Sequence, residues 1–489
     1  MVKNQVQLIT YPDSLGGDLK KLDNVLEKHF PDLFTGGIHI LPPFPSSGDR
    51  GFAPLTYLEI EPKFGSWDDI KRIGEKHAII LDLMVNHISA KSSYFQDFLK
   101  NGYESEYADL FIQVKKLWAD GIPLQEDIDK MFLRREQPFS DFKIEKTGEI
   151  EKVWTTFGKT IPSEQIDMDM NSPIAIDLLT KFMSNFSKNN VKIVRLDAVG
   201  YVVKKLGTSC FFVEPEIYAF LEWIHKLAGS LNIEILPEIH AEYQTQFKLA
   251  NEGYWIYDFI LPYTILETLI TKSSKSLKEY LKVRPRNQFT MLDCHDGVPI
   301  KPDMDGLYQG AVARKVVDQC VKNGANLSLI LSQAHKDSDG FDVHQIRGTY
   351  YSLLGCNDAA YLAARAIQFF TPGIPQVYYV GLLAGKNDIE AVKQTGEGRE
   401  LNRHNYSLSE IDSEVQRPVV GKLIELIKFR NSHPAFNGTF NVDVCSDSEI
   451  VLSWNLNDTY ARLHVDLANY SSEISCSDSS GIQLMKQIL

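Results

Sequence analysis

Short, almost wholly apolar segments recur through the first four-fifths of the chain, and stretches with helical spacing separate several of them. Because apolar side chains occur on both faces of these segments, the pattern predicts parallel strands that are covered on both sides. Three intervening stretches, 18–30, 176–186 and 217–227, place their apolar residues on one helical face. A (β/α)₈ TIM barrel has eight strands that alternate with helices, which is the number predicted here. We therefore expect an α/β fold of that class. The predicted strands are 6–10, 37–41, 78–85, 191–196, 233–236, 255–261, 289–292 and 376–380.

Two gaps between the predicted strands are too long for simple connections. The segments 88–165 and 298–352 each follow a strand end, where long insertions commonly build substrate sites. We predict an inserted domain B at 88–165 and an inserted subdomain B′ at 298–352. The barrel would then comprise 1–87, 166–297 and 353–436. From 437 to 489 short alternating strands, at 440–444, 449–455 and 461–467, predict a small all-β C-terminal domain.

Composition and charge narrow the class of protein. The 489 residues are 44 % hydrophobic and 24 % charged, as in a typical globular protein. The 51 Lys and Arg residues stand against 64 Asp and Glu residues, giving a net charge of −13, so we expect no nucleic-acid partner. No apolar run approaches about 18 residues and no signal-peptide pattern is seen, so we expect a cytoplasmic protein without a membrane span. The six cysteines lack zinc-site or redox-motif spacing, which fits free thiols.

Polar and charged residues follow the predicted strands at the point where each strand ends. Such groups are costly beside buried strands unless they are paired or functional. Because the strand ends of a TIM barrel converge at one mouth, we expect these side chains to share a pocket. They are Asn86 and His87, Arg195 and Asp197, Glu238 and His240, and His295 and Asp296, with Asp49 and Phe52 in the loop after 37–41.

Carboxylates at strand ends can also have purely structural roles. A single carboxylate at such a position fits a helix cap or a loop ion pair equally well. Polar endings on five strands at once favour a functional site. His and Asp are also metal ligands, but no closely spaced His pair occurs, and recognition of sugar hydroxyls accounts for the same mixture. We therefore expect neither a metal ion nor another cofactor.

Two of the carboxylates end consecutive predicted strands. Retaining glycoside chemistry needs an ionised carboxylate as nucleophile and a protonated carboxyl as general acid, about 5–5.5 Å apart. Asp197 and Glu238 fit that requirement from neighbouring strands. Arg195 lies two residues before Asp197, so its side chain points the same way and we expect it to keep Asp197 ionised. Glu238 follows an apolar run, an environment that we expect to keep its carboxyl protonated.

Five motifs stand in chain order and together resemble the signature regions of a known family. Asp82-x-x-x-Asn86-His87, Arg195-x-Asp197, Glu238 and His295-Asp296 resemble the four signature regions of the α-amylase superfamily, glycoside hydrolase family 13. Gln165-Ile166-Asp167-Met168-Asp169 resembles a fifth region, which closes the second domain. Over essentially its whole length the chain resembles the sucrose phosphorylase subfamily, on the segments 7–11, 195–201, 376–381 and 402–404.

The resemblance implies a role for each of these residues. It implies Asp197 as nucleophile, Glu238 as acid/base catalyst and Asp296 as transition-state stabiliser. It implies that a glucosyl unit is held by Asp49, His87, Arg195, His295 and Arg403, with Phe52 and Phe157 as sugar-stacking platforms. The implied reaction is a double displacement that gives α-glucose 1-phosphate with retention of configuration.

Fewer residues bear on the acceptor side of the substrate. His344 stands before Gln345, where sucrose phosphorylases tend to have Tyr, and Arg134 and Arg135 lie in predicted domain B. A phosphate monoester needs such local donors in an acidic chain. We therefore expect sucrose phosphorylated on fructose and inorganic phosphate as ligands, bound by these four residues. Alternatively, His344 is a neutral loop residue and the arginines are a solvated pair. Arg347, which departs from the subfamily pattern, either strengthens anion binding or reshapes the loop.

Several activities fit the same glucosyl machinery. The alternatives are a phosphorylase of unphosphorylated sucrose, a phosphorylase of glucosylglycerol or glucosylglycerate, and a hydrolase or transglucosidase of α-glucosides. A non-catalytic carbohydrate-binding protein is the alternative from another class, and the intact Asp197, Glu238 and Asp296 argue against it. The sequence leaves the oligomeric state open.

Overall fold

Eight parallel strands form one sheet, and each overlaps a strand predicted from the sequence. The structure is a computed structural model that describes residues 2–118, 120–332, 336–337, 340–477 and 483–487. Along the sheet the strands follow the order β6-β7-β8-β1-β2-β3-β4-β5, the cyclic order of a (β/α)₈ barrel, which confirms the predicted fold class. They are β1 (Gln7–Thr10), β2 (Gly37–Ile40), β3 (Ile79–Met84), β4 (Val191–Asp197), β5 (Glu234–Pro237), β6 (Ile256–Asp258), β7 (Gln288–Thr290) and β8 (Ile374–Tyr378).

The chain divides into two compact units. The first unit contains Met1–His39, His240–Leu329 and Val343–Leu489, and the second contains Ile40–Ile239 and Ile330–Asp342. In the first unit β8 pairs with β1 and β7, and β7 pairs with β6. In the second unit β4 pairs with β3 and β5. Each unit thus carries the carboxyl ends of neighbouring strands. The six-segment division inferred from the sequence stays a prediction.

Helices follow most strands and bury one face. The three predicted helices are observed at Leu19–His29, Pro173–Lys188 and Glu216–Ser230. None of the helices among the described residues combines the length and hydrophobicity that a membrane span requires. The other helices are Trp67–Gly74, Ser93–Asn101, Val114–Leu117, Gln125–Ile128, Tyr243–Asn251, Leu261–Thr271, Lys275–Val283, Gly310–Lys322, Tyr350–Leu353, Asp358–Phe370, Tyr379–Leu382, Ile389–Thr395, Leu408–Glu414 and Pro418–Ser432.

Two predicted strands extend into the helix that follows the observed strand. The stretch 255–261 is a strand only to Asp258, because the Asp258 carboxylate accepts a hydrogen bond from the backbone N–H of Leu261 at 3.0 Å and a helix begins there. The same carboxylate lies 2.8 Å from Nη2 of Arg284, a long-range pair that an apolar pattern does not indicate. At 376–380 the strand ends at Tyr378 and a short helix follows.

The segment 88–165 leaves and returns on a pair of antiparallel strands. His87 pairs in register with Asp167, so the two ends of the segment lie side by side. Inside it, a hairpin of Phe139–Lys143 and Ile150–Trp154 packs on a small apolar core that includes Trp118. The region 298–352 contains a second antiparallel sheet, formed by Val298–Pro299, Asn326–Leu329 and Val343–Arg347.

The C-terminal segment is an antiparallel sheet of five strands, as expected for an all-β terminal domain. It packs within the first unit, where Nε1 of Trp454 donates a hydrogen bond to the Phe370 carbonyl at 2.7 Å. Three of its strands match the prediction and the last two were not predicted. They are Thr439–Val442, Glu449–Leu456, Thr459–Asp466, Ser472–Ser477 and Gln483–Gln487.

Candidate active site

Three carboxylates of the second unit meet one guanidinium at the ends of β3, β4 and β5. Arg195 contacts Asp82 through Nη1, and the same nitrogen lies 2.9 Å from Oδ1 of Asp197. Its Nη2 lies 2.5 Å from Oε1 of Glu238. The Arg195 side chain is only 3 % exposed. The structure therefore brings the predicted pair Asp197 and Glu238 to a single buried cation.

Opposing effects act on the pKa of Asp197. Burial raises it well above its ordinary value, the nearby Glu238 raises it further, and the charge and hydrogen bond of Arg195 lower it, in the predicted direction, but offset the rise only in part. Glu238 follows a buried apolar run, as the sequence indicates, and its carboxylate also lies against Arg195. That Asp197 is the ionised partner and Glu238 the protonated one stays a prediction.

The turn after β4 fixes both carboxylates. Ala198 adopts a left-handed conformation, with φ 53° and ψ 26°, and its backbone N–H donates a hydrogen bond to Oε2 of Glu238 at 3.3 Å. That conformation costs a non-glycine residue about 1–2 kcal/mol. Strain of this kind is found where the backbone orients functional groups. Here it turns the chain directly behind Asp197.

A hydrogen bond joins the predicted sugar-binding residues His87 and Phe52, and Gln165 shares the same acceptor. Nε2 of His87 donates to the Phe52 carbonyl at 3.0 Å, and Nε2 of Gln165 donates to the same carbonyl at 2.9 Å. Burial lowers the pKa of His87, so its imidazole is neutral at pH 7. Asp49 begins the turn Asp49–Gly51, and its Oδ1 lies 3.9 Å from Nζ of Lys159. His87, Phe52 and Asp49 thus all belong to the second unit.

The two predicted arginines of the insertion do different things. Arg135 donates from Nη1 to the Phe157 carbonyl at 3.1 Å and from Nη2 to the Thr160 carbonyl at 3.0 Å. Arg134 instead holds its guanidinium carbon 5.9 Å from the centre of the Phe157 ring. That ring also packs at 5.4 Å from the His87 ring. Arg135 therefore anchors loop backbone and is not one of a solvated pair, whereas Arg134 lies over a predicted sugar platform.

In the first unit several cationic groups act on a single carboxylate of the candidate site, Asp296. Oδ1 of Asp296 lies 3.4 Å from Nη1 of Arg399, and its Oδ2 lies 3.6 Å from Nε2 of His295. Burial alone raises the pKa of Asp296, but the charges of these two groups, of Arg403 and of His240 outweigh it and hold the pKa well below its ordinary value. Asp296 is therefore an anion at neutral pH.

A 3₁₀ turn, Gly398–Asn402, holds the strand-end residues by their backbone. Nδ2 of Asn402 donates to the Asp296 carbonyl at 3.0 Å. Nε of Arg403, the next residue, donates to the His295 carbonyl at 3.0 Å. The turn and Arg403 thus fix the orientation of both residues after β7.

His344 and Gln345 are buried strand residues, each 2 % exposed, on Val343–Arg347. Nδ1 of His344 donates a hydrogen bond to the Lys301 carbonyl. Its ring lies edge-on to the ring of His240, with centroids 6.2 Å apart. The alternative description of His344 as a loop residue is therefore wrong, and the structure places it beside a second imidazole.

A family model described as the catalytic domain of α-amylase matches residues 10–280, more than half of the chain and a range that includes both Asp197 and Glu238. The chain belongs to the α-amylase family.

Within the residues that the structure describes, no group of three His, Cys, Asp or Glu side chains is arranged to hold a metal ion.

Relatives of similar length show which members of the α-amylase family this chain resembles. A sucrose 6(F)-phosphate phosphorylase from Thermoanaerobacterium thermosaccharolyticum is 64 % identical over 480 residues, 98 % of each chain. A glucosylglycerol phosphorylase from Marinobacter adhaerens and a sucrose phosphorylase from Streptococcus mutans are both 42 % identical, again over 98 % of each chain. The crystal structure of sucrose 6F-phosphate phosphorylase from Thermoanaerobacter thermosaccharolyticum superposes with a TM-score of 0.99 at 63 % identity, covering 100 % of this chain and 99 % of that one. Over its whole length the chain is similar to glucoside phosphorylases.

Lys204 is a site residue of this family member that the sequence did not reveal. Its Nζ lies 2.8 Å from Oδ2 of Asp167, donates to Oδ1 of Asn86 at 2.8 Å and contacts the Tyr201 carbonyl. The side chain is 3 % exposed. It joins the strand that closes the insertion to the turn after Asp197. A lysine directly after two valines was the only signal in the sequence.

Arg399 is the second residue that was not predicted, and Arg347 packs against the turn that carries it. A Cβ added at Gly398 would lie 3.2 Å from Nη1 of Arg347, and Nδ2 of Asn326 donates to the Gly398 carbonyl at 3.0 Å. Asn326 and Arg347 pair in register across their strands. Arg347 therefore packs against the turn Gly398–Asn402 and supports its position. The charged run 397–403 was the available signal for Arg399.

Proposed function

We propose that this protein is a retaining phosphorylase of sucrose 6′-phosphate, the sucrose that carries a phosphate on its fructose unit. It transfers the glucosyl unit to inorganic phosphate and releases α-glucose 1-phosphate and fructose 6-phosphate. The observation that carries the proposal is the 64 % identity to a sucrose 6(F)-phosphate phosphorylase, against 42 % for the relatives with other substrates. The cluster around Arg195 supports the retaining chemistry, because that chemistry needs two neighbouring carboxyl groups.

In the first step Asp197 attacks the anomeric carbon of the glucosyl unit. The bond from that carbon to the fructosyl oxygen breaks, and Glu238 gives its proton to the leaving oxygen. The step therefore needs an ionised Asp197 and a protonated Glu238 when the substrate is bound. Arg195 contacts both carboxylates and so supports the charge on Asp197 as that proton moves.

In the second step a phosphate oxygen attacks the same carbon and displaces Asp197. Glu238 takes the proton of the attacking phosphate hydroxyl, which restores the enzyme to its starting state. Two inversions give net retention and therefore the α anomer of glucose 1-phosphate. Phosphate prevails over water only if an anion site holds it beside the intermediate.

The remaining residues bind the glucosyl unit. Asp296, an anion, accepts hydrogen bonds from glucosyl hydroxyls and stabilises the positive charge that develops in the oxocarbenium-like transition state. Glucosyl hydroxyls are bound by Asp49, His87, Arg195, His295 and Arg403, and the sugar faces pack on Phe52 and Phe157.

The phosphate groups are bound by Arg134, His344 and Gln345. Arg134 is favoured over Arg135 because both Nη atoms of Arg135 donate to backbone carbonyls. Arg135 instead positions the Phe157 backbone. The protein acts in the cytoplasm on small sugar phosphates, which agrees with its six free cysteines, and has no nucleic-acid partner.

The test is the initial rate of glucose 1-phosphate release from sucrose and from sucrose 6′-phosphate, with inorganic phosphate in excess. We expect a preference for the phosphorylated sugar of about 100-fold or more in kcat/KM. Arg134→Ala should reduce that preference by about 10-fold or more, because a charge-assisted hydrogen bond contributes about 1.5–3 kcal/mol.

Lys130→Ala is the matched control, since Lys130 is an exposed cation of the same insertion. It should leave the preference unchanged. Equal or better turnover of plain sucrose by the unmodified protein would contradict the proposed substrate and favour a sucrose phosphorylase. Turnover of neither sugar would favour another glucoside.

A further inference from the structure

His240 and Asp303 form a hydrogen-bonded pair in the first unit that the reaction above does not use. Nδ1 of His240 lies 3.1 Å from Oδ2 of Asp303, whose side chain is fully buried. Nε2 of Gln246 donates to the other oxygen, Oδ1, at 3.0 Å. Both oxygens of the Asp303 carboxylate therefore accept hydrogen bonds, and the bond from Gln246 keeps Oδ2 oriented toward His240.

The imidazole of His240 is held in one orientation. Its ring stacks on the Phe259 ring with centroids 4.0 Å apart and an angle of 22° between the planes. Its edge faces the ring of His344 at 6.2 Å. A ring that is stacked on one side and hydrogen-bonded through Nδ1 cannot rotate without losing both contacts.

The two neighbouring imidazoles have partners of different charge. Nδ1 of His344 donates to a backbone carbonyl, which accepts equally well from a neutral ring. His240 instead faces a carboxylate, which favours the imidazolium form. Burial raises the pKa of Asp303, and the charge and hydrogen bond of His240 oppose part of that rise.

A phosphate ligand in a chain of net charge −13 needs a cation whose charge is held locally. We propose that Asp303 is a positioning residue that keeps His240 protonated, so that the imidazolium supplies a fixed positive charge to the phosphate group of the substrate. The inference rests on the proposed function, which assigns a phosphate contact to the adjacent His344.

The pair has a defined effect on pH dependence. Among the described residues of the first unit, the titratable groups that contact His240 or respond to its charge include Asp303, His344 and Asp296, whose own pKa the charge of His240 helps to lower. Phosphate binding needs protonated His240, so KM for phosphate should rise as pH passes above the point where His240 loses its proton. Without the Asp303 charge, that rise should begin at a lower pH.

The experiment measures KM for inorganic phosphate between about pH 5.5 and 8.5, in the unmodified protein and in Asp303→Asn. The amide preserves an acceptor for Nδ1 and removes the charge. We expect KM at pH 7.5 to rise about 10-fold and the rise with pH to begin about one pH unit lower. Phosphate itself titrates identically in both proteins, so its effect cancels in the ratio.

Two variants and a second substrate separate this role from a structural one. Hydrolysis of p-nitrophenyl α-glucoside, which contains no phosphate, should stay within about twofold. His240→Gln should raise KM equally, and the double variant should be no worse than either single one. Asp305→Asn, which removes a partly exposed carboxylate beside Lys301, is the matched control. It should change neither the KM for phosphate nor the hydrolysis of p-nitrophenyl α-glucoside.

An unchanged KM in Asp303→Asn, or an equal loss on both substrates with no shift in pH dependence, would overturn the inference. Additive losses in the double variant would overturn it as well. If the unmodified protein releases no glucose 1-phosphate, the proposed function fails first, and the two failures are thereby distinguished.

Discussion

The carboxylates of the two units differ in how many cations they share. In the second unit Asp82, Asp197 and Glu238 surround the single guanidinium of Arg195. In the first unit Asp296 lies near several cationic groups, with Arg399 and His295 within 3.6 Å. Both sets follow barrel strands and both are buried, yet the pKa of Asp197 is raised and that of Asp296 is lowered.

The contrast shows that the neighbouring charges decide whether the effect of burial on these pKa values prevails or is reversed. Burial raises the pKa of both carboxylates, and only around Asp296 do enough cations reverse it. A carboxylate pair that retains one proton is suited to acid/base and nucleophilic work. A carboxylate that stays ionised is suited to stabilising a positive transition state.

Replacing Arg195, the cation that three carboxylates share, should have the largest effect on stability and activity. Arg195→Ala leaves three buried carboxylates without a positive partner, which we expect to cost about 3–5 kcal/mol of unfolding free energy. Glucose 1-phosphate release should fall about 1,000-fold, because the charge that supports Asp197 is lost. Urea unfolding at pH 7 and initial rates measure the two effects.

The stability loss in Arg195→Ala should shrink in acid, where the carboxylates are protonated and no longer repel one another. Arg72→Ala, which breaks a half-exposed pair with Asp69, is the control and should cost less than about 1 kcal/mol. Equal losses in both variants would contradict the special role of Arg195.

Weakening the cations around Asp296 should have a smaller effect that appears mainly in the pH profile. The charge of Arg399 helps to hold the pKa of Asp296 down, so Arg399→Met should raise that pKa. The acidic limb of kcat/KM should then move up by about one pH unit, because the reaction needs ionised Asp296. Initial rates between about pH 4 and 8 provide the test.

Arg399→Met should also lower the free energy of unfolding at neutral pH, because it removes a charge that lowers the pKa of Asp296 in the folded protein. A lowered pKa in the folded protein stabilises it above the pKa of the unfolded chain, and this contribution is lost as pH falls through the folded value. Arg417→Met, which removes a cation paired with Glu414 outside the candidate site, is the control. An unmoved acidic limb in Arg399→Met would show that Asp296 does not depend on this cation.

Much of the fold and part of the candidate site follow from the sequence for a simple physical reason. Buried parallel strands must be apolar on both faces, so the position where polarity resumes marks the strand end. Asp197, Glu238 and Asp296 were predicted on that basis. The end of β6 was not, because Asp258 binds Arg284 and the start of a helix, and neither contact leaves a local pattern.

Charge states and long-range partners were beyond the sequence. Arg195 is near Asp197 in the chain, but its contact with Asp82 spans 113 positions. Lys204 and Arg399 lie far in sequence from the groups that they bind. Without those distances, one charge cannot be weighed against another, and the raised pKa of Asp197 was therefore not predicted.

The central claim is that Asp197 carries the glucosyl unit during turnover. Glu238→Gln treated with α-glucosyl fluoride tests it, because fluoride leaves without an acid and the intermediate decays slowly without a base. Peptide mass spectrometry should find the mass of one glucosyl group on the peptide that contains Asp197, and none when Asp197→Asn is added. A glucosyl group on any other residue, or no covalent adduct while fluoride is released, would contradict the account.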